Sequence, residues 1–411
     1  MAESMPDPLR PLEGMRVLEL SQIMAGPICG LMLGDLGAEV IKIEKFPGGD
    51  DARAFNSSGG AREMPASFQM INRGKKSVAL DLKAPLGRET LLRMLQQVDV
   101  VTENYRPGVL ARLGLAPLDL IRINPKLIVV SVSGYGSQGP LSSRGGFDLV
   151  LQAFSGLISV TGEPDRAPVK PGVPTADINA GILAALGTLS AYIYRLRTGK
   201  GQWVQTSLLQ ASIQQLYWQA AAFLASGVLP TRLGTAHPLI APYQTFCCSD
   251  GELAIGGGNN TIWKKIVEVL NKPEWDQDPR FDSPKNRIGN RLALEGLFNE
   301  VLGSHTRAYW EEKFLAAGVP AGPVQNVGEA LNHPQTHALN MVIEADNANG
   351  GVMQSLGLPI LFNGANHPAR EAAPMLGQHT REVLRAFGVQ PDEFARLLQA
   401  QACMELRDAP A

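Results

Sequence analysis

Short apolar segments alternate with segments of helical spacing along the first half of the chain. Four apolar segments predict strands: Val17–Leu20, Val40–Glu44, residues 98–104 and residues 127–133. Helical spacing predicts helices at Pro27–Leu36, Gly87–Gln97 and Leu118–Ile123. Strands that alternate with helices are typical of a parallel sheet covered on both faces. We therefore expect a doubly wound, mostly parallel, Rossmann-like α/β domain over residues 1–222.

The pattern changes after residue 222. Residues 226–244 are rich in proline and glycine, as in a linker, and residues 243–258 then predict a β-hairpin. Beyond the hairpin, helical spacing predicts helices at residues 261–271, Arg291–Leu302 and Ala308–Ala317. These elements predict a second, smaller α+β domain over residues 226–330.

Composition limits the partners to be expected. Hydrophobic residues make up 45% of the 411 residues and charged residues 18%, with a net charge of −2 and no charged tail. This balance is typical of a globular protein and predicts neither a nucleic-acid nor a membrane partner. The first residues form no apolar segment, and the four cysteines fit neither a disulfide framework nor a zinc site. We expect a cytoplasmic protein without a metal.

A glycine motif at Gly134–Gly139, "GYGSQG", follows a predicted strand but does not predict a dinucleotide site. In the dinucleotide fingerprint a helix begins inside the motif, so that its first turn faces the pyrophosphate. Here Pro140 and further loop residues follow. We therefore interpret the motif as a turn and expect neither a nicotinamide nor a flavin cofactor.

Asp177 is the one acidic residue in the stretch "VKPGVPTADINAGILAALG", residues 169–187. Aspartate is a preferred N-cap, and the apolar spacing that follows predicts a helix from Asp177 to Gly199. The flanking residues are nearly all small or apolar, which favours a site able to keep water from the carboxylate. A carboxylate at the positive end of a helix is also held ionised, as a nucleophile requires. Residue chemistry alone leaves both interpretations open and favours the cap.

Motifs spread over the whole chain resemble the class III CoA-transferases, the family of the formyl-CoA:oxalate, carnitine and bile-acid CoA-transferases. They include "PLEGMRVLELSQIMAGPICGLMLGDLGAEVIKIEK", "ENYRPGVLARLGL", "PGVPTADINAG", "RTGKGQWVQTSLLQA" and "GTAHPLIAPYQTF". The resemblance implies that Asp177 is the nucleophile, which forms an anhydride and then an aspartyl-CoA thioester. It also implies an interlaced homodimer in which residues 335–411 return to the large domain.

The resemblance further implies which residues meet the substrates. Coenzyme A, as acyl-CoA, would contact Ala25, Lys45, Lys83, Asn104, Tyr105, Arg106 and Arg112. On its charge, Arg144 or another arginine near the glycine loop would bind a remote carboxylate. The acid would be lined by Met24, Phe147 and His237 and covered by a glycine loop, Gly256, Gly257, Gly258 and Asn259. Lysine and arginine suit phosphates and carboxylates, although a solvated surface charge explains any one of them as well.

Two of these residues differ from the oxalate-specific enzymes, where a glutamine matches Met24 and a tyrosine matches Phe147. Racemases of the same fold carry histidine where this chain has Phe147, and a phenyl ring cannot exchange a proton. The resemblance is strongest to the succinyl-CoA:dicarboxylate branch, which predicts succinyl-CoA as donor and a C4–C6 dicarboxylic acid as acceptor. A 2-methylacyl-CoA racemase, a formyl-CoA/oxalate or carnitine-type transferase, and a non-catalytic CoA-binding protein remain the alternatives.

Overall fold

The computed structural model describes residues 10–55, 64–366 and 368–406. The described chain separates into two compact units. The first takes the described residues of Met1–Leu157, Pro171–Ala220 and Pro334–Ala411, and the second takes Ile158–Lys170 and Ala221–His333. Residues 158–170 thus belong to the second unit, although they lie inside the predicted large domain.

The described residues form twelve strands in three sheets. In chain order the strands are β1 (Arg16–Leu20), β2 (Glu39–Glu44), β3 (Lys76–Leu80), β4 (Val100–Glu103), β5 (Ile128–Ser133), β6 (Trp203–Ser207), β7 (Tyr243–Cys248), β8 (Gly251–Gly256), β9 (Ala321–Pro323), β10 (Val342–Asp346), β11 (Val352–Leu356) and β12 (Cys403–Met404).

Helices separate most of these strands. In chain order they are α1 (Ala25–Asp35), α2 (Ala66–Asn72), α3 (Pro85–Leu95), α4 (Val109–Arg112), α5 (Pro117–Ile123), α6 (Asp148–Phe154), α7 (Thr175–Thr198), α8 (Leu208–Gln214), α9 (Tyr217–Ser226), α10 (Asn260–Val269), α11 (Pro284–Gly289), α12 (Arg291–Leu302), α13 (Arg307–Ala316), α14 (Val327–Asn332), α15 (Pro334–Ala338), α16 (Thr380–Ala386) and α17 (Pro391–Gln399). Short 3₁₀ turns lie at Asp51–Ala54, Ile158–Val160 and Pro273–Gln277.

The first unit is built on a sheet of seven strands in the order β12-β3-β2-β1-β4-β5-β6. Strands β1 to β6 run parallel, and β12 pairs antiparallel with β3 at one edge. This order confirms the predicted α/β fold with a mostly parallel central sheet. The sequence patterns did not predict β3, which begins with Lys76 and Ser77, or β6, which ends with Gln205, Thr206 and Ser207.

Helices cover both faces of this sheet because successive strand residues point to opposite sides. Val17 and Leu18, neighbours in β1, are both fully buried yet lie in different core clusters. Leu18 joins the cluster formed with α3, α16 and α17, whereas Val17 joins the one formed with α1, α7 and α8. The sheet is therefore buried on both sides, which explains its continuous apolar strands.

Helix α7 packs on α1 through small residues. Ala176, Ala180 and Ala184 are fully buried at a spacing of four, which places them on one face of the helix. A Cβ at Gly181 would lie 2.7 Å from the backbone oxygen of Ala25 at the start of α1. Glycine is thus required at this crossing, and it fixes the first turns of the two helices against each other.

By length and composition alone, α7 is apolar enough to cross a membrane. In this structure one face of the helix is buried in the core of the first unit, and large apolar side chains lie exposed along another. Packing in the core of the first unit therefore accounts for the buried apolar face of α7.

The second unit contains the three-stranded antiparallel sheet β7-β8-β9. Its core is aromatic: Trp263, Phe281, Phe298 and Phe314 are fully buried in one cluster. Strands β7 and β8 form the predicted hairpin, and α10, α12 and α13 match the three predicted helices to within two residues at each end.

Candidate active site

A cleft of about 450 Å³ opens at the carboxyl edge of the parallel sheet in the first unit. Ligands of open α/β sheets bind at this edge, where the loops after the strands meet. The loop after β1 supplies residues 22–25, the loop after β4 supplies residues 104–107, and α7 supplies Asp177. Seven residues named from the sequence line the cleft together: Met24, Ala25, Asn104, Tyr105, Arg106, Phe147 and Asp177.

Asp177 is not the N-cap of its helix, so this prediction is wrong. Helix α7 begins at Thr175, which makes Asp177 its third residue, and no side chain of its own cap position bonds the first turn. Asp148 supplies that bond from α6: its Oδ1 accepts from the backbone N–H of Ala176 at 3.0 Å and of Asp177 at 3.3 Å. Because the cap comes from another helix, the Asp177 side chain is free to face the cleft.

The environment of Asp177 disfavours the ionised form of its carboxyl group. Burial, followed by the charge of Asp148, raises its pKa from 3.8 to about 7. The expectation that the helix start holds this carboxylate firmly ionised is therefore corrected. Near neutral pH the two protonation states are both populated, which keeps a nucleophilic carboxylate available while raising its basicity.

The loop between β1 and α1 is held by neighbouring side chains rather than by its own turn bonds. The Asn104 amide oxygen accepts from the Gln22 N–H, and its amide nitrogen donates to the Gln22 oxygen, both at 2.9 Å. Both groups of the Asn104 side-chain amide therefore bond the loop that lines the cleft, although Asn104 is expected to contact CoA. Met24 precedes α1 and Ala25 is its first, buried residue.

Tyr105 and Arg106 line both this cleft and a neighbouring cavity of about 600 Å³ in the same unit. Burial raises the pKa of Tyr105 to about 12, so the phenol keeps its proton and can donate a hydrogen bond to a ligand. Arg106 is exposed, and its guanidinium is therefore available to a phosphate or carboxylate. The two cavities together offer an extended path along the sheet edge.

Four other cations predicted to meet CoA or the acid lie outside the residues that line the cleft. Lys45, Lys83, Arg112 and Arg144 are all exposed. Lys45 pairs with Asp51 at 2.6 Å, and the Arg144 guanidinium lies 5.8 Å from the centre of the Tyr135 ring. All four belong to the first unit.

His237 and the glycine segment belong to the second unit. The His237 Nδ1 accepts from the Leu239 N–H at 3.1 Å, and its ring lies 5.4 Å from that of Tyr243. The amides of Gly256 and Gly257 already donate to backbone oxygens of the same unit.

The segment around these glycines connects β8 to α10, whose N-cap is Asn259. A Cβ at Gly257 or Gly258 would lie 2.2 Å from an isoleucine side chain, Ile266 or Ile240. A side chain at either position would therefore have to displace that isoleucine. Among the described residues, the Gly258 amide makes no hydrogen bond to a backbone oxygen.

Comparison with known proteins identifies the family of this chain. The profile of CoA-transferase family III matches residues 12–380. The chain belongs to CoA-transferase family III.

Characterised relatives of this CoA-transferase cover nearly its whole length. It is 36% identical to the succinyl-CoA:glutarate CoA-transferase of Mus musculus, over 92% of this chain and 87% of that protein. It is 37% identical to the acetyl-CoA:oxalate CoA-transferase of Acetobacter aceti, over 94% of this chain and 98% of that protein. A crystal structure of a CAIB/BAIF family protein from Brucella suis is 39% identical and superimposes with a TM-score of 0.81, covering 92% and 99% of the two chains.

Sequence reasoning missed Asp148 and the buried residues that hold the β1–α1 loop. Asp148 follows Phe147 directly, but its bonds reach residues 28 and 29 positions further along the chain. No local sequence pattern indicates an N-cap that comes from so distant a residue. The CoA-transferase thus carries a second carboxylate beside its candidate nucleophile.

Proposed function

We propose that this CoA-transferase moves CoA from succinyl-CoA to a free C4–C6 dicarboxylic acid, with Asp177 as the nucleophile. The observation that carries the proposal is the Asp177 carboxylate, half-buried in the cleft at the carboxyl edge of the sheet, with its pKa raised to about 7. The succinyl-CoA:glutarate relative supports the donor and the class of acceptor.

The proposed chemistry conserves the thioester bond. The Asp177 carboxylate attacks the acyl carbon of the donor thioester, forming a mixed anhydride and releasing CoA thiolate. The thiolate then attacks the aspartyl carbonyl, which yields an aspartyl-CoA thioester and the free donor acid. The acceptor carboxylate reverses both steps, leaving with CoA and restoring Asp177. Water has to be excluded throughout because it hydrolyses both intermediates.

The cleft residues divide into two proposed roles. Arg106 and Tyr105, which line the cleft and the neighbouring cavity, would bind CoA, and the exposed cations Lys45, Lys83 and Arg112 would add positive charge for its phosphates. Met24 and Phe147, which line the cleft with Asp177, would contact the acyl chain. For His237, Arg144 and the glycine segment 256–259, a role at the acid remains a prediction.

An oxalate acceptor is the second candidate, since the acetyl-CoA:oxalate relative is as similar as the glutarate one. The two cleft residues Met24 and Phe147 favour the longer acid, because methylene groups gain by contact with apolar side chains and oxalate has none. The same Phe147 disfavours a racemase, which needs a second acid–base group at the reacting carbon.

A panel of donors and acceptors tests the proposal. Succinyl-CoA, acetyl-CoA and formyl-CoA are each paired with glutarate, other C4–C6 dicarboxylates and oxalate, and product CoA esters are measured. We expect the highest kcat/KM for succinyl-CoA with a dicarboxylate. A preference for oxalate would show that oxalate, and not a C4–C6 dicarboxylate, is the acceptor. Full turnover by Asp177→Ala would show that Asp177 is not the nucleophile.

We extend the proposal to an interlaced homodimer in the cytoplasm. Large apolar side chains lie exposed along α7 and α9, among them Leu186, Leu196 and Leu224, which is 82% exposed. Apolar patches of this kind mark protein interfaces. Light scattering should give twice the chain mass, and differently tagged dimers should exchange subunits only after unfolding. A monomer, or rapid exchange, would contradict this part.

A further inference from the structure

We propose that Asp50 is a positioning residue for the transferase reaction and acts through the backbone of Ile23. The inference rests on the proposed role of the Asp177 cleft, and it adds a residue that does not line that cleft. Asp50 is 1% exposed, so it reaches no substrate and affects the reaction only through the groups it holds.

Ile23 has an unusual backbone conformation. Its φ is +66°, in the left-handed region that favours glycine. A β-branched side chain makes this conformation unfavourable, so surrounding bonds have to stabilise it. Such conformations concentrate at functional sites, and Ile23 lines the cleft that holds Asp177.

Asp50 supplies the bonds that stabilise Ile23. The Ile23 N–H donates to both carboxylate oxygens of Asp50, at 3.0 and 3.2 Å. Asp50 is itself fixed, because its Oδ2 lies 2.9 Å from the ammonium of the fully buried Lys42. Burial alone would raise the pKa of Asp50, but Lys42 and the backbone donors hold that pKa below its usual value. The acceptor for Ile23 is therefore a carboxylate at neutral pH.

The two residues before Ile23 are held in the same way. The Lys42 ammonium donates to the Ser21 oxygen at 2.8 Å, and the Asn104 amide bonds both backbone groups of Gln22. Three consecutive residues of the loop are therefore fixed by three side chains from other segments. Lys42 joins two of these positions because it contacts both Ser21 and Asp50.

The conformation of Ile23 determines where the next residues meet the nucleophile's helix. Met24 and Ala25 follow directly and line the cleft. The Ala25 oxygen packs so closely on Gly181 of α7 that a Cβ there would lie 2.7 Å away. Gly181 follows Asp177 by four residues, on the same face of α7. A shift of this loop therefore changes the distance between the acyl-contacting residues and Asp177.

The test is Asp50→Asn, with Asp35→Asn as the matched control. Asparagine has one acceptor oxygen where the carboxylate has two. Its NH₂ group therefore faces either Lys42, whose bond to Oδ2 is lost, or the Ile23 and Ala52 N–H groups, whose bonds to Oδ1 are lost, and either orientation removes one of the two acceptors of Ile23. Asp35 is also a buried, ion-paired aspartate of the first unit, bonded to Arg73 at 2.8 Å. Each variant is compared with the wild type by kcat, by KM for the donor and by thermal stability.

A second-site variant separates positioning from general stability. Ile23→Gly removes the strain of the left-handed conformation, so Ile23→Gly/Asp50→Asn should recover part of the activity that Asp50→Asn loses. Amide exchange of the peptide spanning residues 20–26 gives a readout that needs no substrate. It should speed up in Asp50→Asn but stay unchanged in Asp35→Asn. If Asp50→Asn does not fold, Asp50→Glu replaces it, because it keeps a carboxylate for the buried Lys42 while its longer side chain moves the acceptor away from the Ile23 N–H.

We expect Asp50→Asn to lower kcat about tenfold to a hundredfold, the loss typical of a misplacement near 1 Å. Asp35→Asn should lower thermal stability while kcat stays within about threefold of wild type. Wild-type kcat in Asp50→Asn, or a double variant no more active than the single one, would overturn the inference. The proposed function fails separately if the wild type does not use succinyl-CoA with a dicarboxylate. In that case the kcat values of the variants are compared with the best donor and acceptor of the panel.

Discussion

Burial of Asp177 and, as the smaller cause, the charge of Asp148 are expected to set the pH dependence of the reaction. A pKa of about 7 predicts that kcat/KM falls below neutral pH, because only the ionised carboxylate attacks the thioester. At pH 6 about one-tenth of the carboxylate is ionised, and at pH 5 about one-hundredth, so the rate should fall about tenfold per pH unit. A carboxyl with the ordinary pKa of 3.8 would show almost no change over this range.

Asp148→Asn removes one of the two causes of the raised pKa. The like charge disappears while burial, the larger cause, stays, so the pKa of Asp177 should fall but remain above 3.8. The asparagine oxygen still accepts from the first turn of α7, which keeps Asp177 in place. In profiles from pH 5 to 9, the acid limb of Asp148→Asn should therefore lie at lower pH than that of the wild type.

The assay is kcat/KM with the preferred donor and acceptor, whose own carboxylates stay ionised across most of this range. Asp119→Asn serves as control, because Asp119 is an exposed aspartate paired with Arg122 and should leave the profile unchanged. A wild-type profile that is flat between pH 5 and 8, or an acid limb that moves to higher pH in Asp148→Asn, would refute the reasoning.

Three further predictions concern stability and packing. The raised pKa means that folding favours the protonated form of Asp177, so its ionisation lowers the free energy of unfolding. This loss of stability is absent below pH 3.8, grows as the pH rises and reaches at most about 4 kcal/mol above pH 7. Asp177→Asn should therefore be more stable than wild type in urea at pH 8 but not at pH 4. Gly181→Val should lower kcat about a hundredfold, since its Cβ would displace Ala25 from the cleft. Glu19→Gln, which removes the paired carboxylate of the buried Lys75 and one of the two carboxylates paired with the buried Lys42, should destabilise the protein by about 3–5 kcal/mol, measured by urea unfolding.

Each of these three predictions has a control variant or an outcome that would contradict it. Gly296→Ala adds a methyl group where nothing lies within 4 Å, so it should keep full activity beside Gly181→Val. Equal stability gains for Asp177→Asn at pH 4 and pH 8 would contradict the raised pKa. A Glu19→Gln protein as stable as wild type would contradict the account of the buried ion pairs.

Periodicity predicts the elements that carry the site because these elements pack by their own apolar faces. The strands β1, β2, β4 and β5 and the long helix α7 follow from local patterns. Their carboxyl ends then meet at one edge because the sheet is parallel, so the cleft's location follows from the topology. The roles of individual cleft residues came from the family resemblance and not from periodicity.

Interactions between distant residues could not be predicted in this way. The N-cap of α7 was misassigned because Asp177 satisfies the local preference, whereas the bond comes from Asp148. The conformation of Ile23 depends on Asp50, a residue 27 positions away. Neither partner is recognisable until the fold brings the two segments together.

The most direct test of the central claim is to find where CoA is bound during turnover. The protein is mixed with succinyl-CoA without acceptor, quenched in acid and analysed by mass spectrometry of its peptides. We predict CoA joined to Asp177 through a thioester, reducible by borohydride, and absent from Asp177→Asn. CoA on another residue, or full turnover by Asp177→Asn, would contradict the account.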